Sequence, residues 1–268
     1  VIRSRALLGT PVGAALLIVA ATAGCDRLAV WSAPAKAPSA ARTAAAVEAD
    51  KLFWKTLHGG EYDRIPDALT AVKAAYLENP HDAVTAAHVG WLHTWRLAER
   101  ARQASRRPDI TDDAVLARKY FEEAVRLDPR DARYLGFYAG LLMAEGTIHK
   151  DEKLVRRGFY AMKDAIAAWP EFNYFTAGYT ASGLPADSDR FREALAQQWL
   201  NLDVCAGEKV DRANPDYARY MRLETRDGAK RVCWNSWIAP HNFEGFFLNF
   251  GDMLVKAGQP DLAVAMYG

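Results

Sequence analysis

The sequence is short of nearly everything that would announce a reaction. Three cysteines occur in 268 residues, and none stands in a C-x-x-C or C-x-x-C-H arrangement, which argues against a zinc site and an attached haem. The six histidines are His58, His81, His88, His93, His149 and His241. No two are four apart and none forms H-E-x-x-H, so no pair shares a helix face in the way a catalytic zinc requires. His88 and His93, five apart, read as packed or solvated side chains. There is no G-x-S-x-G elbow, no G-x-x-x-x-G-K loop and no G-x-G-x-x-G turn. Ser236 and His241 lack an acid partner that would make them a nucleophile and base. No enzyme activity, metal or cofactor is therefore expected.

Neither sign of charge dominates. With 34 Lys and Arg against 33 Asp and Glu, the formal charge is +1, which gives the chain no global reason to neutralise a nucleic acid backbone. The short basic stretch from Arg96 to Arg107 is followed by Asp109, Asp112 and Asp113 and reads as a solvated loop rather than a polyanion site. Long hydrophobic runs are missing too. The longest, Val12 to Ala23, falls short of the roughly 20 residues that span a bilayer.

That run has the length of a signal-peptide core, with Arg3 and Arg5 before it as a short positive region. It ends in Thr22-Ala23-Gly24-Cys25. This ending resembles the lipobox of bacterial lipoproteins, although Thr22 stands where that family usually carries an aliphatic residue. The resemblance implies lipidation of Cys25, removal of residues 1–24 and an address on the periplasmic side of the bacterial cell envelope. Acyl chains, at about 0.8 kcal/mol per buried methylene, would then hold the protein to the membrane. Loss of the two arginines leaves a formal charge of about −1. Residues 25–48 are rich in Ala and Pro and have little to bury, as expected of a flexible tether.

If Cys25 carries lipid, Cys205 and Cys233 remain as an even pair in an oxidising compartment. A disulfide between them would contribute roughly 3 kcal/mol in the chain-entropy model. The alternative is two separate buried thiols. The stretch between them holds Gly207, Asn214-Pro215 and Asp227-Gly228, breakers that leave it poorly served by helical packing alone.

Residues 49–268 carry a periodic signal. A small residue, an apolar residue four later, Ala three later and Pro five later recur three times: Ala68, Val72, Ala75, Pro80; Ala117, Phe121, Ala124, Pro129; Gly158, Met162, Ala165, Pro170. Spacings of four and three share one helix face, and the proline ends the helix. Companion patterns precede the second and third copies (Gly90, Trp91, Leu92; then Leu135, Tyr138, Ala139, Leu142, Gly146). A further copy runs through Phe247, Phe250, Gly251, Leu254, Gly258, Ala263 and Tyr267. These resemble the two helices of tetratricopeptide repeats. The fold class implied is all-α, a solenoid of helical hairpins, with insertions near 97–113 and 147–157 because the prolines lie farther apart than the family's 34 residues. Residues 171–242 show helices, notably Phe191 to Leu202, without a clean repeat. The last repeat is incomplete at Gly268, so either the natural chain continues or its last helix frays for want of a polar cap.

Aromatic residues supply the candidate binding sites. Trp91 and Trp95 lie one turn apart where the repeat family faces its concave groove, and there they would form a platform for a peptide or apolar ligand. The other reading places them in the core. Trp234, Trp237, His241 and Asn242 belong to a second cluster directly after Cys233, suited to a rigid pocket or to a plug between repeats. Phe172, Tyr174, Phe175 and Tyr179 are expected to pack two helices together. The function these features imply is a membrane-anchored scaffold that holds a protein or peptide partner in a concave groove. A small-molecule-binding accessory lipoprotein of a transport system is the alternative, and an enzyme of unfamiliar design the third.

Overall fold

The computed structural model describes residues 36–39, 41–100, 110–223, 227–233, 237–238 and 243–267, with backbone alone at 110, 243 and 244. Cys25, Trp234, His241 and Asn242 lie outside the described residues, as does the whole proposed signal segment. The chain divides into two compact units, residues 1–37 and 38–268, and every described helix belongs to the second.

Among the described residues there are eleven α-helices and no strand: α1 (Ala44–His58), α2 (Ile65–Glu78), α3 (Ala83–Ala98), α4 (Ile110–Leu127), α5 (Ala132–His149), α6 (Glu152–Ala168), α7 (Pro170–Ala181), α8 (Asp189–Ala206), α9 (Tyr217–Met221), α10 (Phe243–Lys256) and α11 (Pro260–Tyr267). Short 3-10 turns occupy Tyr62–Arg64 and Ala229–Cys233. None of the helices is long and apolar enough to cross a membrane.

The boundaries follow from local chemistry. Side chains of Thr43, Asp82, Asp131, Asp151 and Ser188 each accept a backbone N–H in the first turn of the helix that follows, satisfying donors that lack an intrahelical partner. Helices α2, α4 and α6 end at Glu78, Leu127 and Ala168, each two residues before one of the repeated prolines. Pro170 then opens α7 at its first position, where a missing N–H costs nothing. Helix α1 begins at Ala44, earlier than the tether reading of residues 25–48 anticipates. Arg42 fastens this start by reaching Asp50, Asp82 and Thr85, and Ser39 N–H donates to the His81 carbonyl.

The repeated residues are the core. Ala68, Val72 and Ala75 on α2, Ala117, Phe121 and Ala124 on α4, and Gly158, Met162 and Ala165 on α6 are all buried. From α1 to α8 each helix packs against the next in chain order, as α10 does against α11, and α1 also touches α3, as α5 touches α7 and α8 touches α10. Close approach depends on glycines. A Cβ on Gly90 would lie 2.8 Å from the Phe121 ring, one on Gly178 2.6 Å from Gln198 Nε2, and one on Gly251 2.7 Å from the Tyr267 ring. The expected insertion at 147–157 does not exist as a loop. Only Lys150 and Asp151 separate α5 from α6, and the wider proline spacing is absorbed by helices of 18 and 17 residues. Lys150 turns the chain in a left-handed conformation, φ 57°. Helix α11 is docked, with Ala263 and Met266 buried and the Tyr267 hydroxyl donating to Asp252 Oδ1 at 2.6 Å.

Asn173 organises the junction of α5, α6 and α7. Its buried Nδ2 donates to the carbonyls of Ala132 (3.1 Å), Ala165 (2.9 Å) and Trp169 (3.3 Å). Its Oδ1 is pressed against Gly136, where an added Cβ would stand 1.9 Å away. The amide cannot yield without giving up those three carbonyls. Gly136→Ala is therefore expected to destabilise the protein by about 1–3 kcal/mol, read as a lower urea midpoint with an unchanged m-value. An unchanged midpoint would show that the amide relocates freely.

Candidate functional site

The described residues place the aromatic candidates in two different environments. Trp91, on α3, is 3 % exposed. Its ring is surrounded by Phe53, His88, Phe121, Tyr134 and Phe137 at centroid distances of 5.6–6.2 Å, and its Nε1 has no hydrogen-bond partner. Trp95, one turn on, points to a separate neighbourhood, edge-on to Tyr62 at 5.9 Å. The two tryptophans do not share an open platform. Phe172 and Phe175 pack α7 against its neighbours, Phe175 meeting Phe246 of α10 at 6.1 Å.

Trp237 is the exposed member, with 62 % of its surface accessible. It sits against two side chains of α1, Trp54 at 5.5 Å and His58 at 4.4 Å, the latter nearly perpendicular. The segment that carries it is anchored at several points. Cys233 is joined to Cys205 of α8 by a disulfide. The Trp169 indole N–H donates to the Ala229 carbonyl at 2.8 Å, and the Arg231 guanidinium lies over the same indole at 4.4 Å. Arg133, at the start of α5, donates to the Ile238 carbonyl. Through these contacts residues 229–233 touch α7 and α8 and residues 237–238 touch α1 and α5, so Trp237 is held in place although its ring is open to water. Of the second aromatic cluster the described residues include Trp237 alone, four positions after the disulfide cysteine Cys233. Trp54 and His58 escape a motif search because nothing in their spacing marks them. Only the arrival of Trp237 gives them a role.

Beneath this corner lies a buried polar group. His88 is stacked on Phe53 at 4.0 Å, and its Nδ1 stands 2.8 Å from Asp50 Oδ1 without the alignment of a hydrogen bond. Burial pushes His88 below its ordinary pKa, against the pull of Asp50. Burial also opposes ionisation of Asp50, yet the contacts with His88 and Arg42 outweigh it and hold that carboxyl at about 2. Asp82 is likewise lowered, its burial outweighed by Thr85 and Arg42. His88 thus stands beside Asp50, and the single guanidinium of Arg42 is shared between the carboxylates of Asp50 and Asp82. A second pair, His93 Nδ1 and Asp113 Oδ1, lies 2.7 Å apart and buried, with Arg96 Nε 3.5 Å from the other carboxylate oxygen. Among the described residues no three His, Cys, Asp or Glu side chains converge as they would on a metal.

A groove of about 540 Å³ runs between α6 and α8. Met143, Met162 and Ala177 lie at its base, and Phe159 and Tyr160 along one wall. Its charged residues are Glu152, Arg156, Lys163, Arg190 and Glu193.

The His88 geometry makes stability depend on pH. Because the folded value is depressed, the unfolded chain takes up this proton first. The stabilisation is complete above the ordinary histidine pKa of about 6.5 and is lost as the pH falls below it. Wild-type unfolding free energy should drop more between about pH 7.5 and pH 5.5 than that of His88→Phe. Parallel curves from urea titrations would show that His88 gains its proton equally in both states.

Set against known proteins, the chain matches no family model, no curated protein sequence and no solved structure.

Proposed function

We propose that this chain is a binding module of the tetratricopeptide-like kind, lipid-anchored through Cys25 on the periplasmic side of a bacterial envelope, where it holds a protein or peptide partner. Support for the repeat reading is the recurrence of one local contact. In the pairs α3/α4, α7/α8 and α10/α11, a glycine of the first helix receives a large side chain of the second. The contacts of α1 with α3 and of α5 with α7 match first helices stacking on first helices, the way such repeats bury a continuous core.

The partner surface we infer is not an open groove lined by Trp91 and Trp95. Trp91 is enclosed, and Trp237 and Ile238 already lie on α1 and α5. The observation that carries the reading is Trp237, a large ring left exposed on a segment held by a disulfide and three further contacts. Rigid, exposed aromatic anchors lose little entropy on binding and are enriched among residues that dominate interfaces. With Trp54 and His58 it forms a corner suited to an apolar or aromatic side chain of a partner. A second reading, a small-molecule-binding accessory protein, draws on the groove between α6 and α8.

The test is cross-linking in the native envelope followed by affinity capture, with wild type beside a Trp54→Ala, Trp237→Ala variant whose helicity and melting temperature match. Loss of about 2 kcal/mol or more at such an anchor corresponds to a partner signal reduced about thirtyfold. Equal recovery of the same partners with both proteins would remove this surface from consideration.

A further inference from the structure

We propose that the groove between α6 and α8 binds a single-chain anionic amphiphile of the fatty-acid type. This goes beyond the scaffold reading and involves none of the residues at the Trp54–Trp237 corner. Three observations carry it. The groove's volume of about 540 Å³ falls within the range of small-ligand sites, roughly 300–1,000 Å³. Its base is apolar and adaptable. Met143 and Met162 bring two thioethers to a surface continued by Val155, Ile166 and Ala177, and unbranched, polarisable side chains suit a flexible hydrocarbon. Phe159 and Tyr160 remain 36 % and 60 % exposed on the wall, apolar area that an acyl chain would cover.

The charge on the rim selects the head group. Arg156 and Lys163 stand on α6 and Arg190 on α8, and among the described residues none of the three makes an ion pair. Lys163 lies over the Phe159 ring, 4.7 Å from its Nζ. The neighbouring arginines behave differently: Arg157 reaches Glu122 and Arg192 reaches Asp189. Glu152 and Glu193 also belong to the rim and likewise make no salt bridge among the described residues, so the rim carries one net positive charge. Arg156 and Arg190 lie near the starts of α6 and α8, but Glu152 and Glu193 stand within about a turn of them on the same two helices, so the charge in excess is that of Lys163. A carboxylate beside Lys163 meets an ammonium whose other contact is the Phe159 ring, with the tail lying over Met162, Ile166 and Ala177.

The experiment is calorimetric titration of the folded chain with three probes of equal tail length, each below its micelle concentration: dodecanoate, dodecylammonium and dodecyl maltoside. Dodecanoate should bind about tenfold more tightly than dodecylammonium, one charge contact of about 1.4 kcal/mol. Lys163→Ala should remove that preference while leaving the maltoside unchanged. Ala167→Trp, at an exposed lining position that should not disturb the fold, should weaken all three. Equal affinity for the two charged probes would overturn the assignment, as would insensitivity to the tryptophan. A fourth arm uses phosphatidylglycerol vesicles. Vesicle binding that depends on Tyr160 and Arg156, with no uptake of monomeric dodecanoate, would make this face a membrane contact and would also overturn it.

Discussion

The constraint on which the rest of the structure depends is how closely two helices approach when one of them offers no side chain. At Gly90, Gly136, Gly178 and Gly251 the space that a methyl group would fill is taken by Phe121, Asn173, Gln198 and Tyr267. Each glycine weakens its own helix by about 1 kcal/mol relative to alanine, and the packing it admits more than offsets that. These contacts set the spacing between helices and, with it, the positions of every side chain carried on the first members of the pairs.

On that frame the polar interior has specific tasks. Asn173 ties three elements through one amide. Gln198 meets Gly178 on one side and donates to Asn249 Oδ1 of α10 on the other at 3.0 Å. Arg42, Asp50, Asp82 and His88 join the start of α1 to α3. Buried groups of this kind are costly when unpaired and stabilising when satisfied, so they fix which helix lies beside which more sharply than apolar contact does. The His93–Asp113 pair does the same between α3 and α4.

The helices were legible because their signals are local. Proline positions and apolar spacing predicted where α2, α4 and α6 end and which of their residues are buried. The disulfide followed from counting cysteines. What was not legible depends on length and distance. A 41-residue proline spacing reads equally as a loop inserted or as helices extended, and only the left-handed turn at Lys150 decides between them. Trp91 and Trp95 share a helix face within one turn, but burial is settled by Phe53 and Phe137, far away in the chain. Trp54 and His58 carry no motif at all, because their partner, Trp237, comes from far along the chain.

That last separation bears on how the protein is made. Nearly every helix touches the one before it, so the pairs can consolidate as the chain emerges, each closing only short loops. The contact of Arg133 with Ile238 closes 105 residues, and the seating of Trp237 on α1 closes still more. Such contacts wait until the framework stands. The surface that presents Trp237 is thus assembled late in folding, and an unfinished chain does not display it.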